Sequence, residues 1–209
     1  MSLLITNSDT LETIKQNPAC PAFLVNVLES TTTLQERVEN SLLSSLRAKT
    51  NFAEWIAALL ALNPKVTLNN SKVIPFADVL ADDSISLKDL TKLDISIEVS
   101  DFMGFEKVSN TPGDRSIVSV FVYLKSSAGS INEARITATG VSKLAFNLAV
   151  CSEFLVGKKL DTTMIQELKG KIRAEFTPPD SYLGSSTYRK EMASALVEKI
   201  LLQKIHGEI

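Results

Sequence analysis

Few side chains in this sequence are of a type that does covalent or acid–base chemistry. His206 is the only histidine, and it lies near the end of the chain. Acid–base catalysis by an imidazole needs a nucleophile or an orienting group beside it, and a metal site needs further ligands. Neither stands near His206, so both chemistries are not expected. Cys20 and Cys151 are far apart and set among apolar neighbours. They read as small core residues rather than as a disulfide, a metal site or iron–sulfur ligands. The most informative stretch is Pro178-Pro179-Asp180-Ser181-Tyr182-Leu183-Gly184-Ser185-Ser186-Thr187-Tyr188-Arg189. Its two prolines stop one helix, and Ser185 or Ser186 can accept from the free N–H groups that open the next.

Composition bounds what these groups can serve. The chain has 209 residues, 44% hydrophobic and 22% charged, with a net charge of −2. That is an ordinary globular composition, long enough for one large domain or two small ones. No basic excess points to nucleic acid, and no charge run points to a membrane surface. Apolar runs such as Ile56 to Leu62 are far shorter than the roughly 20 residues a membrane span needs. The first residues lack a basic segment followed by a long apolar core, so no secretory signal is expected, and the expected setting is cytoplasmic.

The elements that must position any site follow from periodicity. Residues 19–30 read as an apolar helix with Pro21 in its first turn. Residues 33–48 place Leu34, Val38, Leu42 and Leu46 on one helical face, and 52–62 place Phe52, Trp55, Ile56, Leu59 and Leu60 on another. Asn63-Pro64 stops that helix, and 65–68 with 72–74 read as a hairpin. A short helix is expected at 76–80. From Leu93 the residues Leu93, Ile95, Ile97 and Val99 alternate as a half-buried strand. Ile117 to Leu124 is apolar on both parities, as in a well-covered central strand, and Ile131 to Thr139 returns from a turn at 126–130. Helices are expected at 144–156 (Leu144, Leu148, Cys151, Leu155, closed by Gly157), at 161–176 with Asp161 as N-cap, and at 186–205. The fold class is α+β: a helical and hairpin region, then an antiparallel sheet covered by helices. A boundary is placed near 82–92.

Several of these pieces occur in a fixed order. They are Phe105-Glu106-Lys107, the meander 117–139, Gly140-Val141, Glu153-Phe154-Leu155-Val156-Gly157-Lys158-Lys159-Leu160, Asp180, Gly184-Ser185 and Tyr188-Arg189. The set over 93–205 resembles the C-terminal domain of the FAD-binding (medium) subunits of the molybdenum hydroxylases, the xanthine and carbon monoxide dehydrogenase family. Upstream, Ala53 to Leu62, Val66-Thr67-Leu68 and Pro75 to Leu80 are similar to a helix, a strand and a following segment in the family's FAD-binding domain. The resemblance implies a truncated FAD-binding-domain-like region over 1–88 and a CO dehydrogenase flavoprotein C-terminal-like domain over 89–209.

The same resemblance implies FAD as cofactor and names where to look for it. Ser41-Leu42-Leu43-Ser44-Ser45-Leu46 falls where the family carries a Thr-Ile-Gly-Gly-Asn-Leu phosphate loop. Leu43 and Ser44 therefore stand in place of the glycine pair, and Ser45 in place of the Asn. Glycines there let backbone N–H groups approach the pyrophosphate; Leu43 adds a branched side chain, and the segment reads as continuous helix. No glycine precedes Gly104, so a second Gly-rich loop of the family has no counterpart in residues 1–40. Glu54 matches a family Asp at the cofactor's sugar, or is an exposed helix carboxylate. Trp55 stacks on a ring or packs in the core. Lys107 approaches a flavin edge or is a solvated strand-end lysine. Asn110 and Thr111 are neutral where the family often has basic residues, which weakens support for a reduced, anionic flavin. For Tyr188-Arg189 the expected role is structural, Tyr capping the core and Arg bonding loop carbonyls or Asp180. The implied function is a flavin-subunit-like component of a molybdenum-hydroxylase-type oxidoreductase, passing electrons through FAD beside iron–sulfur and molybdopterin subunits. The alternatives are a degenerate scaffold that no longer binds FAD and an unrelated small-molecule-binding domain. The isolated chain is expected to lack turnover.

Overall fold

The computed structural model describes residues 2–111, 114–142 and 146–207, with the side chains of Asn147 and Leu148 excepted. Leu144, expected on a helical face, lies outside the described residues. The chain divides into two compact units, Met1–Val99 and Ser100–Ile209.

The first unit holds a four-stranded antiparallel sheet. Its strands are β1 (Ser2–Thr6), β2 (Lys65–Leu68), β3 (Val73–Pro75) and β4 (Leu90–Ser96), in the order β1-β4-β2-β3. The β2–β3 hairpin is as the sequence predicts. β1 was not expected: only Leu3 and Ile5 of its five residues face inward, too short an alternation to stand out. β4 corrects the expected boundary. The strand expected to open the second domain pairs instead with β1 and β2, Leu93 opposite both Ile5 and Val66. The division therefore falls at Val99/Ser100, beyond the 88/89 expected.

Between these strands run α1 (Leu11–Gln16), α2 (Ala22–Thr31), α3 (Leu34–Glu39), α4 (Leu42–Arg47), α5 (Ala53–Leu62) and α6 (Phe76–Ala81). Pro21 is the N-cap of α2 rather than part of its first turn. α5 is buried all round except at Glu54, as a helix apolar on every face must be. Asn63, in the left-handed region at φ 48°, ends it. The single helix expected over 33–48 is two. Asn40 is extended (φ −110°, ψ 125°), and Thr33 and Ser41 each cap a separate six-residue helix. Leu34 and Val38 are exposed, whereas Leu42 and Leu46 are buried, so the four-residue spacing does not mark one continuous face.

The second unit is an antiparallel meander of β5 (Phe102–Val108), β6 (Val118–Ser127), β7 (Ser130–Thr139) and β8 (Phe146–Leu148), followed by α7 (Thr162–Glu175) and α8 (Ser186–His206). Val118, Val120, Val122 and Leu124 of β6, with Ile136 and Ala138 of β7, share one core with Met164, Ile165, Leu168 and Ile172 of α7 and Val197, Ile200 and Leu201 of α8. β6 is buried on both parities, as predicted. The helix expected at 144–156 is instead β8 and a 3-10 segment, Val150–Leu155. β8 finds its partner in β7, and the Glu175 carboxylate accepts from the N–H groups of Val150 (2.5 Å) and Cys151 (2.8 Å). Tertiary partners override the apolar spacing there. Asp161 and Ser185 are the N-caps of α7 and α8, accepting from Met164 N at 2.8 Å and Tyr188 N at 3.2 Å.

Candidate functional site

The segment in place of the phosphate loop is built around the start of α4. A helix leaves its first N–H groups without intrahelical partners, which is what makes such a start attractive to anions. Here each is taken. Leu42 N donates to the Asp9 carbonyl at 2.8 Å and Leu43 N to the Asn7 carbonyl at 3.2 Å. Ser44 N donates to Ser41 Oγ at 3.3 Å and Ser45 N to the Ser41 carbonyl at 3.0 Å.

The side chains turn the same way. Ser45 is fully buried and donates to the Leu42 carbonyl at 2.8 Å. The Ser44 hydroxyl lies 3.1 Å from the Ser41 carbonyl and 3.3 Å from Asn40 Oδ1. The expectation that the N–H groups here are used within the fold therefore holds, but their acceptors come mostly from a turn thirty-odd residues upstream and from a cap, not from a continuous helix. Nothing in the sequence of Asn7 or Asp9 signalled that role, because a backbone carbonyl has no side-chain signature. Residues 41–46 thus do not fit the dinucleotide pyrophosphate that the family resemblance implies.

Glu54 sits half-buried in the first turn of α5, where a carboxylate favours the helix dipole. Trp55 beside it is fully buried, and its indole N–H has no hydrogen-bond partner among the described residues. It is a core residue. Ser44, Ser45 and Glu54 all belong to the first unit.

Lys107 belongs to the second, on β5. In register across the sheet it neighbours Ser119 and then Thr139. Both are buried, and Ser119 Oγ has no hydrogen-bond partner among the described residues. One step along the same face, Phe105 stacks on Phe121 with ring centroids 5.0 Å apart. The parity of the strands puts this row opposite the helix-covered core, so the sheet is two-sided in chemistry.

Arg189 is buried and structural, as expected. It donates to the carbonyls of Ile117 (3.1 Å), Gly140 (3.0 Å) and Gly184 (3.4 Å) and to Ser181 Oγ (2.6 Å). Asp180 is not its partner; that carboxylate accepts from Ser186 N at 2.5 Å. Tyr188 does not cap the core but remains 39% exposed.

Burial pushes the Cys20 thiol up to about 11, and burial with the neighbouring Glu175 carboxylate pushes Cys151 up as well. Neither is a ready thiolate. No group of three potential metal ligands occurs among the described residues, and no helix among them is long and apolar enough to cross a membrane.

The second unit defines a class: an antiparallel four-stranded meander with two helices packed on one face. Residues 104–204 match the family described as CO dehydrogenase flavoprotein C-terminal domain. The chain is 27% identical over 95 residues to the glyceraldehyde dehydrogenase medium chain of Sulfolobus acidocaldarius, a match covering 46% of this chain and 34% of that protein. The match therefore spans only about a third of that relative's length. Among solved structures, quinoline 2-oxidoreductase from Pseudomonas putida 86 has a TM-score of 0.81 at 21% identity, covering 99% of this chain and 75% of its own. Carbon monoxide dehydrogenase from Hydrogenophaga pseudoflava has a TM-score of 0.81 at 17% identity, covering 95% and 73%. At these identities the structures establish the fold. The resemblance to medium, flavoprotein-type subunits read from the motifs is borne out, as is the α+β class.

Proposed function

We propose that this chain works as a flavin-subunit-like component of a molybdenum-hydroxylase-type oxidoreductase, assembled with iron–sulfur and molybdopterin subunits in the cytoplasm. The observation that carries this reading is the family match over 104–204, joined to the medium-chain relative. In such an assembly a flavin supplies one-electron and two-electron transfer, and the protein supplies position and electrostatics. Lys107, with Ser119 and Thr139 in register, is the polar row of the second unit we assign to ligand or cofactor contact.

A second reading is a docking subunit that has given up flavin. One observation favours it: the N–H groups of residues 42–45 are all engaged within the chain. The visible spectrum of the purified protein separates the two. Bound flavin colours the protein yellow and supports electron transfer; a colourless protein that takes up no added FAD supports the docking role. Co-expression with iron–sulfur and molybdopterin subunits, followed by native mass spectrometry, tests the assembly itself. A defined complex is expected, and failure to form one with any such pair removes the proposal.

A further inference from the structure

We infer that the start of α4 is closed to phosphate from within, by the turn at Asn7–Asp9. The carbonyl oxygens of Asn7 and Asp9 lie 3.2 and 2.8 Å from the N–H groups of Leu43 and Leu42, the places a bound phosphate oxygen would need. The inference goes beyond the assembly reading and does not depend on it.

The turn is not free to swing aside. Asn7 N donates to the Thr91 carbonyl at 3.1 Å, and Asn7 Nδ2 to the Leu90 carbonyl at 3.2 Å, which ties the turn to β4. Asp9 N donates to the Thr6 carbonyl at 3.2 Å, while Thr6 N donates to Asp9 Oδ2 at 2.7 Å, so the turn is braced across itself. On its far side Thr10 bridges Ser41, and Leu11 N donates to the Asn40 carbonyl at 2.9 Å. Opening the site would break the bonds to Leu42 and Leu43, and would strain those on either side. A buried amide and carbonyl left without partners resist that. The bulk of Leu43 is then not the decisive obstacle. Exchanging it for glycine removes a side chain but leaves the N–H groups bonded to Asn7 and Asp9.

Residue-resolved amide hydrogen exchange on the full chain, alone and with added ADP or FAD, tests this. Leu42 and Leu43 N–H groups are expected to exchange slowly in the free protein, with rates unmoved by either nucleotide. Fast exchange at both in the free protein, or protection that appears only with ADP, overturns the inference. The variant carrying Leu43→Gly and Ser44→Gly is expected to bind ADP no better than the parent. A gain of about tenfold or more in affinity overturns it as well. Should that variant fail to fold, the exchange rates of the parent chain decide alone. FAD binding with unchanged exchange at 42 and 43 supports the inference, since the nucleotide then sits elsewhere, and leaves the assembly reading to its own test.

Discussion

Arg189 Nη1 lies 3.0 Å from the carbonyl oxygen of Gly140, and the same nitrogen reaches Ile117 O at 3.1 Å. One guanidinium thereby joins the end of β7 to the residue preceding β6, and its other nitrogens fasten the loop before α8. Truncation leaves carbonyls without donors. Arg189→Ala is expected to cost about 2–4 kcal/mol, from two or more under-satisfied groups. Arg189→Lys should recover only part of that, since an ammonium lacks the planar fork. Urea denaturation of the three proteins measures it; a loss below ~0.5 kcal/mol for the alanine variant would contradict the latch.

Gly140 has φ +72°, and a Cβ there would stand 2.1 Å from Ile117 O. Gly140→Ala combines left-handed strain with a backbone clash, so a loss of roughly 2–4 kcal/mol is expected. Thermal unfolding reads it directly, and a variant as stable as the parent would mean that the β7 end can relax.

Where α8 crosses β5, Gly104 leaves room for Ile200, whose Cγ2 would be 2.2 Å from an added Cβ. Gly104→Ala should overpack this contact and cost about 1–3 kcal/mol. Ile200→Ala removes that Cγ2, so Gly104→Ala should cost less in the Ile200→Ala background than in the parent. A double-mutant cycle tests the pair; purely additive effects would show that the two residues do not meet.

At the β6–β7 turn, Ala128 and Gly129 both have positive φ, +51° and +82°. That is the backbone of a two-residue hairpin turn favouring Asn-Gly or Gly-Gly. Ala128→Gly is expected to stabilise by about 0.5–1 kcal/mol, the relief of left-handed strain outweighing glycine's unfolded-state entropy. A lower melting temperature would refute this.

Arg37 Nε donates to Glu12 Oε2 at 2.7 Å, and its Nη1 donates to the Thr32 carbonyl at 2.7 Å, linking α1, α2 and α3. The guanidinium holds the Glu12 carboxyl below the usual glutamate range. A carboxyl depressed in the folded state stabilises fully above its unfolded pKa of about 4.3, and that contribution fades as pH falls through the folded value. Glu12→Gln should therefore lower stability at neutral pH and flatten the acid side of the stability profile. Melting temperatures from pH 7 downward check it: parallel curves for parent and variant would deny the coupling.

The sequence alone determined the elements whose pattern is local. α5 is long and apolar, α7 and α8 have serviceable caps in Asp161 and Ser185, and β6 is a continuous apolar run flanked by a turn at 128–129. The ordered motifs from Phe105-Glu106-Lys107 to Tyr188-Arg189 carry the resemblance that the family match over 104–204 bears out. Tertiary structure decided what depends on partners distant in sequence. β4 joined the first sheet because β1 and β2 flank it, and 146–155 became strand and 3-10 turn because β7 and Glu175 supply its hydrogen bonds. The occupation of the α4 amides by Asn7 and Asp9 belongs to the same kind. Backbone carbonyls are alike in every residue, so which of them reaches a given N–H is fixed only when the chain has folded.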